Sequence, residues 1–423
     1  MLNIFKAILS FFLDIWLSLL WCIVTGRITK KETRKKKSPS FQLQNLPLLA
    51  TTEIVRSMSQ KEQIKLALTS KKCEAICKAA RVKVLWYGIH IRDDSTNLDI
   101  GENLKLYFGT MECPDYAHDT LSQEEVIELF NLDDGSSPLQ NLLSVFEKVN
   151  GIFKCNRTPL LIYLDEMEQT CLKELMDIPL FRNCKSIGLA RGEVASEDLA
   201  YVFDMARELN YLRLIETEIP SDFQHDRAFL IERVEYSDAK WVTLDNLFTM
   251  KNSTYVTLGT NCLTYSEWNS FLKFWVNSEV DMFHTLKIDM KKRIDLEVLF
   301  DGLIWLDSIR FKGYNYFIMA NTSMPNRKSP LLLVSHYKNE LRFISSTRTS
   351  LWCVSEHPSG KRLRSDITLE LEYDALEVLG QRERLKKKME GMEEPKEEDT
   401  REMKSLERQL DRYLEEKMFT VGE

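Results

Sequence analysis

The chain has 423 residues, of which 44% are hydrophobic and 29% charged, and this reads as a globular protein with room for two or three hydrophobic cores. Its net charge is −7, but residues 1–40 hold eight Lys/Arg against two acids, which leaves −13 on the remainder and argues against a nucleic-acid scaffold. Nine cysteines, at positions 22, 73, 77, 113, 155, 171, 184, 262 and 353, are dispersed and odd in number with no C-x-x-C pair, so they read as reduced thiols and not as a zinc ribbon or a disulfide framework.

From Ile4 to Val24 the sequence is nearly all apolar, and as a helix it roughly matches a hydrocarbon core of about 30 Å. Asp14 near its centre costs about 3 kcal/mol on the insertion scale, whereas thirteen Leu, Ile, Phe and Val residues at roughly −0.45 each return about −6 kcal/mol. Lys6, Ser10, Asp14 and Ser18 recur every four residues and form one stripe of the helix. Residues 1–26 therefore read as a hydrophobic helix, with membrane attachment through residues 4–24 by spanning or by lying in the interface. The basic linker 27–40, with Arg27, Lys30, Lys31 and Arg34 to Lys37, would hold residues 27–423 on the cytoplasmic side.

The next elements are helices. Leu46-Pro47 is a helix start, because proline at the first helical position lacks only an N–H that would be unsatisfied there. This helix is expected to run to about Met58. Ser59 then opens a second, with Glu62 three residues on completing a capping box. Thr69-Ser70 can cap a third, from Lys71 to about Arg81, in which Cys73 and Cys77 read as small core residues. So small a unit buries little surface alone. Its apolar row Leu46, Leu48, Leu49, Ile54, Val55, Met58, Leu66 and Leu68 predicts either a partner protein or packing on the domain that follows.

Phe41, Leu43, the Leu46-Pro47 pair, Ile54, Met58, Glu62, Leu66, Leu68 and Thr69-Ser70-Lys71 resemble the F-box in the form found in nematode F-box proteins, over residues 41–81. That resemblance implies docking on the Skp adaptor of a Skp/cullin/F-box ubiquitin ligase, with Leu46, Pro47, Leu48, Ile54, Met58, Leu66 and Leu68 as the contact residues. Gln63 and Lys65 stand where family members usually carry apolar residues, and Ser59-Gln60 replaces the customary Asp-Pro. A polar residue forced into a desolvated contact costs about 1–3 kcal/mol, so these positions are expected to weaken adaptor binding.

Residues 82–149 read as a connecting segment. Beyond them, short apolar alternations recur: Ile162/Leu164, Ile187/Leu189, Leu212/Leu214, Val234/Tyr236, Val256/Leu258 and Leu286/Ile288, with first members 25, 25, 22, 22 and 30 residues apart. Helix-like stretches such as Ser196 to Leu209 and Ser266 to Val276 lie between them. The pitch brackets the leucine-rich-repeat period, and Leu258-Gly-Thr-Asn261-Cys-Leu263 has the L-x-x-N-x-L arrangement in which an asparagine amide satisfies backbone groups at a solenoid turn. The other units lack the asparagine, so an irregular repeat-like region is expected over residues 150–372. Within it, the stretch from Trp275 through Leu286-Lys-Ile-Asp-Met290 and Phe300-Asp-Gly302-Leu303 to Tyr337 looks like the type 2 F-box-associated domain, over about 270–345. By that resemblance this region recruits a target protein.

Residues 373–423 are charged and helical in pattern, with Ala375 to Glu393 and Lys396 to Met418 separated by Pro395. Met403, Leu406, Leu410 and Tyr413 fall at a/d spacing over barely two heptads, which suits packing on the chain itself better than a free coiled coil. The fold class expected is α/β: a three-helix F-box, an irregular leucine-rich-repeat-like β/α domain, a hydrophobic N-terminal helix and a helical C-terminal tail.

Chemistry is sparse. No phosphate loop, dinucleotide fingerprint, nucleophile elbow or H-E-x-x-H motif occurs, and histidines 90, 118, 225, 284, 336 and 357 are scattered. Asp133-Asp134-Gly135 is a turn signal, Asp165-Glu166 follows a strand as solvated acids do, and Cys113 with His118 has no third partner. No cofactor, metal or catalytic residue is expected. The reading is a substrate-recognition adaptor of a ubiquitin ligase, not an enzyme; the alternative is a membrane-anchored, leucine-rich-repeat-like scaffold whose F-box-like helices pack internally.

Overall fold

The computed structural model describes residues 46–109, 120–133, 135–167, 171–290, 294–308, 314–321, 327–337, 339–349, 351–352, 367–392, 395–415 and 419–422. The chain divides into two units at Thr51/Thr52. The apolar stretch Ile4 to Val24, the basic linker, Phe41, Leu43, Cys113 and His118 lie outside the described residues. Among the described residues no helix is long and apolar enough to cross a membrane.

Three helices open the described chain: α1 (Leu48–Ser57), α2 (Gln60–Thr69) and α3 (Lys71–Ala80). Pro47 stands one residue ahead of α1 and not at its first position, because its carbonyl already accepts the Thr51 N–H at 3.0 Å, as an N-cap does. Ser59 and Glu62 form a reciprocal capping box at the start of α2, and Ser70 accepts from the Cys73 N–H to cap α3. Arg81, left-handed at φ 49°, ends α3.

Residues 82–149, expected to be a connector, instead begin the sheet. They hold β1 (Tyr87–Ile91), β2 (Ser95–Ile100), β3 (Leu104–Gly109), β4 (Thr120–Leu121), α4 (Gln123–Phe130) and most of α5 (Pro138–Ile152). Strand and helix then alternate through β5 (Pro159–Tyr163), α6 (Leu172–Asp177), α7 (Pro179–Arg182), β6 (Ser186–Ala190), α8 (Ser196–Met205), β7 (Tyr211–Ile215), β8 (Arg233–Ala239), α9 (Leu244–Phe248), β9 (Ser253–Asn261), α10 (Tyr265–Asn277), β10 (Phe283–Asp289) and α11 (Leu296–Leu299). The chain finishes with β11 (Trp305–Ser308), β12 (Tyr314–Met319), β13 (Leu331–Tyr337), β14 (Glu340–Ser346), β15 (Leu351–Trp352), β16 (Ile367–Thr368), α12 (Glu370–Glu390), α13 (Glu397–Glu415) and β17 (Phe419–Gly422).

Fifteen of these strands form one sheet, in the order β17-β11-β12-β13-β14-β10-β9-β8-β7-β6-β5-β1-β2-β3-β4. From β1 through β5 to β10 every neighbouring pair is parallel, and from β10 through β14 to β17 every pair is antiparallel. Two unbroken apolar rows cross the parallel part: Leu160, Ile187, Leu212, Val234, Val256 and Leu286, and beside it Ile162, Leu189, Leu214, Tyr236, Leu258 and Ile288. All twelve are buried. Each contributes about 1.5–3 kcal/mol over an exposed position, which makes these rows the spine of the domain. The first unit of the repeat is thus Leu160/Ile162; Leu164, in phase with both, starts the short 3-10 turn 164–166 that ends the strand.

A second, smaller core lies under the C-terminal helices. Leu306, Phe317, Leu331 and Leu333 of the antiparallel strands meet Leu376, Leu379, Leu406 and Leu410 of α12 and α13, with Met403 and Tyr413 at its edge. Lys388 reaches Asp399 at 2.6 Å and ties the two helices together.

Candidate protein-interaction surfaces

The seven residues expected to meet an adaptor have different surroundings. In the first unit Leu46 is half-buried, while Pro47 and Leu48 are exposed, Leu48 at 64%. In the second unit Ile54 and Met58 are half-buried, and Leu66 and Leu68 are partly buried against the main hydrophobic core. Leu68 also lines a cleft of about 390 Å³ between α2 and α4, together with Lys65, Thr69, Leu121, Glu125 and Leu129. Leu66 and Leu68 are therefore partly engaged in internal packing, Leu68 beside Leu121 and Leu129.

Gln63 and Lys65 part company. Lys65 is exposed at the mouth of that cleft. Gln63 is 2% exposed, and its side-chain N–H groups donate to the carbonyls of Val55 at 2.7 Å and Met58 at 2.9 Å. Those carbonyls lie at the end of α1, where the Val55 carbonyl also accepts the Met58 N–H at 3.2 Å. The amide thus serves the helix corner from inside. Cys73 and Cys77 pack beside it at 7% and 1% exposure, and burial, with Cys73 adding to it, pushes the Cys77 thiol up to about 11. Burial likewise pushes Cys184 up to about 12. Neither thiol is a nucleophile near neutral pH.

The acid pair at the end of β5 is closed by arginines. Arg92 Nε lies 3.0 Å from Glu166, Arg191 approaches Glu166 at 3.5 Å and Asp165 at 3.9 Å, and both guanidinium groups stand over the Tyr163 ring. Nearby, Asp99 is approached by His90 at 3.4 Å and by Lys105 at 3.8 Å. These acids are thus engaged in ion pairs with basic side chains. Among the described residues no group of three His, Cys, Asp or Glu is placed to hold a metal ion.

Two groups of buried aromatics pack the core between residues 223 and 288. Trp241 lies among Phe223, Phe229 and Tyr236 with ring centroids 5.1 to 5.9 Å apart, and the Tyr236 hydroxyl donates to the Ala228 carbonyl at 2.6 Å. Trp268, Phe271 and Phe283 pack with Phe343 of β14 into a second aromatic group. The Asn261 amide donates to Gly259 O at 3.0 Å and across to Asp289 O at 3.1 Å, joining the ends of β9 and β10. Two further positioning residues carried no motif. Buried Asn269 donates to the carbonyls of Leu299 and Asp301, each at 2.9 Å, and Arg327 bonds the carbonyls of Trp275 and Ser278 at the end of α10.

Comparison with known families matches the F-box domain at residues 43–85, the helical unit just described, and the F-box associated family at residues 223–288. The chain is an F-box protein with a type 2 F-box-associated domain. The second match runs from Phe223 to the end of the apolar rows in β10; it shares residues 270–288 with the stretch of about 270–345 singled out from the sequence. The chain is also similar to the Skn-1 dependent zygotic transcript 15 protein of Caenorhabditis elegans, 20% identical over 299 residues that cover 63% of this chain and 84% of that protein. In this F-box protein the helical unit and the F-box-associated strands share one main hydrophobic core, which includes Val55, Ile64 and Ala67 along with Val256 and Leu286.

Proposed function

We propose that this F-box protein is the substrate-recognition subunit of a Skp/cullin/F-box ubiquitin ligase, with the F-box on the adaptor and the sheet domain on a protein target. The F-box match at residues 43–85 carries the reading. The adaptor contacts are Leu46, Pro47 and Leu48 of the first unit and Ile54, Met58 and the outer edges of Leu66 and Leu68 of the second. Exposed Leu48 supports this most directly, because a large apolar side chain 64% open to water gains most from a partner. The strand-and-helix alternation from β5 to β10 is irregularly leucine-rich-repeat-like, with Asn261 in the position of a repeat asparagine. Such a protein supplies proximity and no acid or base of its own: it raises the local concentration of a target lysine near a charged ubiquitin carrier.

The test is a pull-down of purified Skp-type adaptor by the full chain and by a Pro47→Ala/Leu48→Asp variant whose circular dichroism matches wild type. Capture by wild type with at least tenfold less capture by the folded variant supports the assignment. Equal capture by both removes these residues from the interface, and no capture by wild type removes the ligase role.

A further inference from the structure

We propose that the edge of the sheet at the N-terminal ends of β1, β5 and β6 docks an acidic, extended segment of a target protein. The inference rests on reading the sheet domain as the target-binding region and names the chemistry of what it binds.

The first observation is a like-charge pair. Lys83 and Lys154 are direct partners across a parallel bridge, in the register that continues into Ile89 and Leu160. Like charges placed opposite one another destabilise a sheet. Both are exposed, as are Arg157 and Lys185, which follow along the same edge. Among the described residues none of these four has a carboxylate within 4.0 Å, whereas Arg92 and Arg191 at the opposite ends of the same strands are paired with Glu166. Residues 82–92, 148–164 and 178–192 contain no Asp or Glu at all, in a protein of net charge −7. An edge that gathers cations and keeps acids out is arranged for an anion that comes from elsewhere.

The second observation is a cavity in that edge. It has a volume of about 400 Å³ and is lined by Asn150, Cys155, Asn156, Thr158, Asn183 and Lys185, over a floor that includes Phe146 and Leu180. Amide and hydroxyl groups beside an ammonium suit a carboxylate-bearing side chain and the peptide groups that flank it. Neighbouring strands lie about 4.8 Å apart, so the edge from β1 to β6 is roughly 10 Å wide, the reach of about three residues of extended chain. Leu85, 70% exposed and two residues from Lys83, offers an apolar contact at one end. A short acidic run with an apolar neighbour fits this surface.

The experiment uses the full chain with Skp-type adaptor bound. A fluorescein-labelled hexaglutamate peptide is titrated by anisotropy, with hexalysine and a twelve-nucleotide oligothymidine as comparison probes. The proposal expects hexaglutamate to bind, and a Lys154→Glu/Lys185→Glu variant to bind it at least tenfold more weakly. A Lys386→Glu/Lys404→Glu variant, with the same change in net charge on exposed helix positions, should stay within twofold of wild type. Lys154→Glu turns a like-charge pair into an opposite one, so the variant should unfold at no lower a temperature than wild type, which separates lost binding from lost folding. No hexaglutamate binding, equal loss in both variants, or tighter binding of the oligonucleotide than of the peptide overturns the proposal. Retention of the adaptor is read in the same sample, so failure of the ligase reading and failure of the acidic-segment reading are seen separately.

Discussion

The side-chain amide of Gln63 donates to the carbonyl of Val55 across the corner between α1 and α2, at 2.7 Å inside the protein. Its second bond, to Met58 O at 2.9 Å, closes the same corner. Removing the amide takes this donor from the Met58 carbonyl and leaves the Val55 carbonyl with the Met58 N–H at 3.2 Å, in a site that water does not reach freely, at a cost of about 1–3 kcal/mol. Gln63→Ala should therefore lower the unfolding free energy by that amount, seen as a lower urea midpoint at unchanged slope, and speed hydrogen exchange in α1 and α2. Because the residue faces inward, the affinity of the folded protein for adaptor should stay within about twofold. An unchanged urea midpoint with weakened adaptor binding would put Gln63 on the docking face after all.

Gly259 of β9 has no room for a side chain. A Cβ built there would stand 2.3 Å from the carbonyl oxygen of Ser237 in β8, and backbone cannot swing aside as the end of a side chain can. Gly259→Ala is expected to part β8 from β9 within the F-box-associated match and cost about 1–3 kcal/mol or more, as overpacking does. Thermal unfolding of the variant checks this, with Gly380→Ala as the control, since a Cβ there meets nothing within 4 Å.

Arg327 holds the end of α10. Its guanidinium donates to the carbonyls of Trp275 and Ser278 and stands 3.8 Å over the Trp275 ring, while burial draws its pKa down to about 10. One nitrogen, Nη1, makes both bonds, which an ammonium could also do, but lysine has no planar group to lie over the Trp275 ring. Arg327→Lys should lose about 1–2 kcal/mol of stability, and Arg327→Met, which removes the donors as well, should lose more. Equal stability of Arg327→Lys and wild type would show that charge alone suffices.

The parallel rows were legible because strands buried on alternate residues write a period-2 apolar pattern, and five of the six pairs read from the sequence are pairs of these rows, the first being Leu160/Ile162 where Ile162/Leu164 was expected. Asn261 was singled out by its L-x-x-N-x-L spacing, and its amide bonds two backbone carbonyls. The strands in residues 82–149 were not, because β2 reads Ser-Thr-Asn-Leu-Asp-Ile: its polar residues are buried all the same, Asn97 bonding Asp99 at 2.9 Å while His90 and Lys105 approach that carboxylate from the neighbouring strands. A pattern of side chains cannot announce partners supplied by other strands. Gln63 was read with Lys65 as a polar residue at a docking contact, and its hydrogen-bond partners within the chain could not be read from its type. The basic edge is scattered over three segments, and only the register of β1, β5 and β6 brings Lys83, Lys154, Arg157 and Lys185 together.

The pair Lys287 and Glu340 joins β10 to β14 at 2.6 Å, where the sheet changes from parallel to antiparallel. Burial would push the Glu340 carboxyl up, but hydrogen bonds from Arg342 and Lys287 outweigh it and hold the group below its ordinary 4.5. Lys287 is correspondingly held above 10.5, chiefly by its bond to Glu340. A carboxyl with a depressed folded pKa gives stability that is fully present above the unfolded value and lost as pH falls through the folded one. Asp289, the register partner of Glu340, is pushed up by burial and acts in the opposite direction, so total stability against pH mixes the two. The difference between wild type and Glu340→Gln removes the burial effect on Asp289 and reports the Glu340 charge, including its smaller upward push on Asp289. The variant should be less stable at pH 7, and the gap should close as pH falls below about 4.5, measured by urea unfolding at pH steps down to the acid limit of the fold. A gap that stays constant across that range would mean that the charge on Glu340 does not hold this junction.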